Sequence, residues 1–107
     1  MKIRPKEHAK FAADKMAKIA LAATPRAHLD LYCLEPGQEQ KPHTHADQDK
    51  IYVVLDGEAR VTVGAEQETL VGGEAIVAPA GVAHGVKNAS DRRLTMLVVV
   101  TPPPPHA

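Results

Sequence analysis

Glycine and proline interrupt this 107-residue chain at short intervals, and the stretches they leave alternate like strands rather than helices. The run Ile51–Leu55 sets Ile51, Val53 and Leu55 on one face, with Lys50, Tyr52 and Val54 on the other. Asp56-Gly57 separates it from Glu58–Val63, where Ala59, Val61 and Val63 alternate with Glu58, Arg60 and Thr62. An Asp-Gly pair between two such runs predicts a tight hairpin. Further turns are predicted at 64–67, Gly72-Gly73, Pro79-Ala80-Gly81 and 88–92, with a short apolar strand over Ala75–Ala78 and an alternating one over His84–Asn88. Upstream, Leu29, Leu31 and Cys33 alternate with His28, Asp30 and Tyr32. Leu94–Val100 is almost continuously apolar, which predicts a strand covered on both faces. Roughly eight short strands with turns this close together specify an all-β sandwich or barrel.

The ends read differently. Residues 7–23 are rich in alanine and lysine, which predicts a helical turn near Phe11–Met16, followed by a strand ahead of Thr24-Pro25. Pro102–Pro105 cannot join a sheet and predict a polyproline tail. The length suits one domain over 1–107, with a core at about 17–101 and the Pro-rich tail at 102–107.

Composition narrows the function classes. Lysine plus arginine and aspartate plus glutamate stand at 13 each, so there is no basic excess to select nucleic acid or an anionic membrane. Phe11, Tyr32 and Tyr52 are the only aromatics of the Phe, Tyr and Trp kind, too few for a base-stacking surface. No apolar run approaches the roughly 20 residues that span a bilayer, and the charged start Met1–Lys6 lacks the apolar stretch of a secretory signal. Cys33 is alone and set among Leu31, Tyr32 and Leu34, which predicts a buried filler and fits a reducing cytoplasm.

Six histidines are present, and placement matters more than number. His43 and His45 are two apart in a predicted strand, so their rings leave the same face about 7 Å apart at the backbone. From there both can reach one ion at about 2.1 Å. His8, His28 and His106 lack such a partner; His28 shares a polar stripe with Asp30 and Tyr32 that predicts a surface or dimer-facing edge. Two longer segments then bear on the pair. Gly37 to Gly57 carries His43 and His45, and Gly73 to Asn88 carries Pro79, Gly81 and His84. They resemble the two signature motifs of the cupin superfamily, Gly-x5-His-x-His-x3–4-Glu-x6-Gly and Gly-x5-Pro-x-Gly-x2-His-x3-Asn. The second segment matches at every defined position; the first matches at both glycines and both histidines. The resemblance implies a small antiparallel β-barrel of jelly-roll-like topology, a homodimer, and a divalent metal held by His43, His45 and His84. Imidazoles without thiolates suit Fe, Ni, Zn, Mn or Cu, and three protein ligands leave positions open for water or substrate.

The first motif departs from the pattern at its glutamate, which is Lys50 here. An ammonium is a poor ligand, and it repels a dication. Three arrangements follow. The site is a plain three-histidine centre with Lys50 turned aside or gripping a substrate carboxylate; or Asp49 or Gln48 supplies a fourth ligand through a bulge; or no metal is tightly held, and the histidines with Lys50 form a pocket for a small anion. Lys50 also has a plain structural reading as a rim residue whose stem covers apolar surface. Lys50 and Tyr52, on one strand face, are the candidate catalytic or pocket residues. The function expected is a metal-binding cupin handling a small anionic organic molecule, with a non-catalytic ligand-binding or regulatory cupin as the alternative. Whether the chain is an enzyme stays open, because this fold hosts many chemistries.

Overall fold

Alternating β-branched and aromatic residues build nine strands in a computed structural model that describes residues 1–103. They are β1 (Ala17–Ala23), β2 (His28–Leu34), β3 (Glu39–His43), β4 (Asp49–Asp56), β5 (Glu58–Val63), β6 (Glu66–Val71), β7 (Ala75–Ala78), β8 (His84–Lys87) and β9 (Leu94–Thr101). One sheet has the order β1-β2-β9-β4-β7 and the other β3-β8-β5-β6, and every pairing is antiparallel. The expected all-β, jelly-roll-like fold is therefore present as two facing sheets, without a hydrogen-bond ladder joining them into a closed barrel among the described residues.

Strand parity decides what fills the space between the sheets. Tyr32 and Leu34 on β2, Tyr52 and Val54 on β4, and Leu94, Met96, Val98 and Val100 on β9 meet Ala59, Val61, Leu70 and Val86 of the opposite sheet in one core. Burial of this apolar surface is the main favourable term in the fold. β9 lies third of five strands, so its inner face is fully buried and its outer face, Leu97 and Val99, is half-covered by its neighbours. Leu31 and Cys33 point the other way from β2 and are also buried, outside that core. Lys10 comes close enough to Cys33 for a backbone hydrogen bond to the thiol, so the N-terminal segment covers this part of the outer face. Cys33 is thus the buried, unpaired filler expected, with its thiol pushed up by burial.

Three local expectations are corrected. Asp56-Gly57 does not close a hairpin: β4 pairs with β7 and β9, and β5 pairs with β6 and β8, so the chain crosses there from one sheet to the other. The true two-residue hairpin is at Gly64-Ala65, between β5 and β6, and is shorter than the turn predicted over 64–67. The helical turn lies at Pro5–His8 as a single 3-10 turn, not at Phe11–Met16. Proline early in that turn presets its backbone, whereas residues 11 and 12 are held from outside. The Arg93 guanidinium lies 4.4 Å from the centre of the Phe11 ring, and Gln38 Nε2 donates to the Ala12 carbonyl at 2.7 Å. The strand predicted ahead of Thr24-Pro25 is β1. Of the polyproline reading, Pro104 and Pro105 lie outside the described residues.

Asn88, the last residue of the second motif, ties the ends of several strands together. It is fully buried; its Nδ2 donates to the carbonyls of Leu34 (3.0 Å) and Arg92 (2.7 Å), and its Oδ1 accepts from the backbone and hydroxyl of Ser90. All four bonds are made, so they offset the cost of taking this amide out of water.

Candidate metal centre

The β3–β8 pairing places His43 directly opposite His84, which brings together two residues 41 positions apart. His45 lies beyond the end of β3 rather than on the strand, so the shared-face argument from a continuous strand does not hold for it. A loop does the same work. The Gly81 N–H donates to the His45 carbonyl at 2.9 Å, clipping the His45 loop to the turn that leads into His84. Ring centres are 4.8 Å apart for His43 and His45, 4.5 Å for His43 and His84, and 5.7 Å for His45 and His84. One nitrogen from each ring lies within 4.8 Å of the others, the spacing of a group able to hold one ion.

Two of the rings are oriented through the backbone. His43 Nδ1 is 3.0 Å from the Lys41 carbonyl, and His84 Nδ1 is 3.0 Å from the Val82 carbonyl. A carbonyl can only accept, so each Nδ1 carries the hydrogen and each Nε2 presents a lone pair. This is the arrangement by which metal-bound imidazoles are fixed. His84 is 1% exposed, and its Nε2 is buried with no hydrogen-bond partner. A bound cation would satisfy such an orphaned acceptor, grouped as it is with two other imidazoles, so the donor set fits a divalent ion. His45 and His84 are both held below the ordinary imidazole range, first by desolvation, which is partial for the exposed His45 and nearly complete for the buried His84. For His45 the next cause is the charge of His43; for His84 a bond to the Val82 carbonyl works against the shift. Both rings therefore stay neutral, the form that binds metal, at pH values where free imidazole begins to protonate.

Lys50 stands on the facing sheet, paired with Ala78 of β7 and Val100 of β9, and it points inward. It is 5% exposed, so it is an interior residue and not a rim residue. Its Nζ lies 5.7 Å from the centre of the Tyr32 ring and 5.8 Å from that of Tyr52. Tyr52 is fully buried, with its ring centre 6.3 Å from that of His84. Asp49 is exposed, and its Oδ1 accepts from the Ala80 N–H at 2.9 Å. No carboxylate belongs to the histidine group among the described residues, and Gln48 is buried, lining one pocket together with His45. His28 is half-buried on β2, and the stripe it shares with Tyr32 turns toward the core rather than outward. His8 is exposed, and His106 lies outside the described residues.

Tyr32 and Gln40 went unremarked as site residues in the sequence. The Tyr32 hydroxyl and the Gln40 side chain are buried within hydrogen-bond reach of each other, and the Tyr52 hydroxyl is buried without a partner. Burial pushes Tyr32 up to about 12 and Tyr52 further still, so both phenols remain hydrogen-bond donors. Strand parity could have found Tyr32, which lies opposite Met96 on β9, but the polar stripe on β2 suggested the outer face.

Comparisons with known proteins agree with this architecture. Residues 30–100 match the family model described as a cupin domain. An uncharacterized protein of Streptomyces coelicolor is 37% identical over 97 residues, which is 89% of each chain. The crystal structure of TT1209 from Thermus thermophilus is 46% identical, with a TM-score of 0.93, over 97% of this chain and 100% of that one. A Klebsiella pneumoniae protein with a double-stranded β-helix domain is 22% identical, has a TM-score of 0.86, and covers 94% of this chain and 89% of its own; it shares the fold. With both signature segments in place on a two-sheet scaffold and the family model covering residues 30–100, this chain belongs to the cupin family.

Proposed function

We propose that the protein holds a divalent transition ion (Fe, Ni, Zn, Mn or Cu) on His43, His45 and His84 and handles a small anionic organic molecule beside it. The observation that carries this reading is the orphaned Nε2 of His84, buried within reach of two further imidazoles and aimed by its Nδ1 bond to Val82. When bound, such an ion supplies Lewis acidity or an oxygen-activating centre. The chain's own residues would do the rest. Lys50 brings a positive charge to the inner wall and anchors a carboxylate, and the Tyr32 and Tyr52 hydroxyls donate to the guest's oxygens.

Protein purified without an affinity tag should contain close to one equivalent of a transition metal, or take one up on titration with Ni2+ or Zn2+. Uptake should weaken as pH falls, because protons compete for the three imidazoles, and it should persist below the ordinary imidazole value because burial holds His84 low. A preparation free of metal that takes up none would favour the alternative, a ligand-binding or regulatory cupin without a tightly held ion. That reading draws on the absence of a carboxylate from the histidine group among the described residues.

A cytoplasmic homodimer completes the proposal. The lone, buried Cys33 fits a reducing compartment, and edge strand β7 exposes Val77 by 55% on the outer sheet face, next to the half-buried Ile51 of β4. Sedimentation equilibrium should give twice the 11.5 kDa chain mass; a monomer at micromolar concentration would remove this part.

A further inference from the structure

Lys50 stands apart from the three histidines in its chemistry as well as its place. The side chain is almost wholly buried, yet none of the ion pairs among the described residues includes it; those join Arg4 to Glu7, Lys6 to Asp56 and Arg93 to Glu35, all on the surface. Taking an ammonium out of water with no anion beside it is strongly unfavourable. Its surroundings deepen the mismatch. The amine faces two tyrosine rings; the Tyr32 hydroxyl lies within hydrogen-bond reach of the Gln40 side chain, while the Tyr52 hydroxyl is buried without a partner. A second cation, Lys18, places its Nζ 5.5 Å from the centre of the same Tyr32 ring. Asp30 is the one carboxylate whose charge reaches Lys50 in the favourable sense, and it forms no ion pair with it.

A desolvated lysine next to another cation is the setting that turns an ammonium into a nucleophilic amine. Burial, then the charge of Lys18, moves Lys50 down to about 8, against the opposing pull of Asp30. The unpartnered Tyr52 hydroxyl nearby is a donor that an oxygen-bearing guest would satisfy.

We propose that Lys50 is a covalent capture site for small carbonyl compounds, aldehydes or 2-oxo acids, which it binds as an imine on the inner face of β4. The amine lone pair forms a C–N bond to the carbonyl carbon as the C=O π pair moves to oxygen. The two hydrogens of the amine and the carbonyl oxygen then leave together as one water, and a C=N bond remains. No oxidant, reductant or metal takes part. The Tyr32 and Tyr52 hydroxyls donate to the carbonyl oxygen as it becomes the departing hydroxyl. A proton taken from solvent onto the imine nitrogen restores the positive charge, so a carboxylate on the guest is still attracted after capture. The inference rests on the guest pocket of the proposed function but not on its metal, so failure to bind an ion leaves it standing.

The test uses the full chain stripped of metal with a chelator, so that loss of a metal site cannot mimic failure. Pyruvate and, separately, acetaldehyde are added with sodium cyanoborohydride at neutral pH, and the reduced adduct is mapped by peptide mass spectrometry. The adduct is expected on Lys50 at least tenfold above any surface lysine with one or both probes, and Lys50→Arg should leave only the surface background. Labelling spread over exposed lysines, with Lys50 unmodified by either probe, would overturn the proposal. Because the wild-type map alone decides, the result does not depend on how well a variant folds.

Discussion

His84→Ala is expected to lower the affinity for Ni2+ or Zn2+ by at least about 100-fold, since removing even an outer hydrogen-bond partner of a ligand costs about 10- to 100-fold. His84 is the most constrained of the three histidines. Its ring is buried, its Nδ1 is tied to Val82, and its strand register places it opposite His43. His45→Ala should cost less, because His45 is exposed in a loop and water can take its place. Isothermal titration on the metal-stripped variants compares the two directly. Circular dichroism on the same samples separates lost affinity from lost fold, because the cavity left at position 84 will also cost stability. Equal affinity in His84→Ala and the parent chain, with the fold intact, would remove this residue from the metal centre.

Gly57→Ala is expected to destabilise the fold by about 3 kcal/mol or more, the largest effect of a single methyl anywhere in the crossing between sheets. Two costs add. The backbone at Gly57 has φ +91°, a region that residues with a Cβ rarely occupy, and the added carbon would lie 2.4 Å from the Arg93 carbonyl oxygen and 3.0 Å from the Leu94 Cα. Both obstacles are backbone atoms at the start of β9, so neither can swing away. Gly37→Ala is the control: φ is +86° there, but nothing lies within 4 Å of the added carbon, so only the conformational cost of about 1–2 kcal/mol remains. Urea unfolding should show the Gly57→Ala midpoint well below that of Gly37→Ala with an unchanged slope. Matching midpoints would mean that the approach of Gly57 to β9 relaxes freely.

The hairpin that was expected at this same glycine shows where sequence periodicity stops. Two alternating runs joined by Asp-Gly look the same whether the strands pair with each other or pass to opposite sheets. The choice depends on which partners bury the inner faces: β4 lies between β7 and β9, and β5 between β6 and β8. Most of those partners are distant in the chain, so no local pattern contains them. The same holds for the N-terminal helical turn. Propensity favoured residues 11–16, but contacts from Arg93 and Gln38 hold that stretch out of a helix.

The strand-rich class was legible in the chain alone, as were the two segments that carry His43, His45 and His84. So was the parity that sets Lys50, Tyr52 and Val54 against Ile51, Val53 and Leu55. Strand period and turn chemistry are local, and ligand spacing within a segment is nearly so. Other features emerged with the packed sheets: His43 faces His84 across β3 and β8, and a loop rather than a strand delivers His45. Lys50 likewise lies buried between Tyr32 and Tyr52 without a counterion among the described residues. Burial and pairing are properties of two sheets packed together, and the free energy of a charge depends on what surrounds it there.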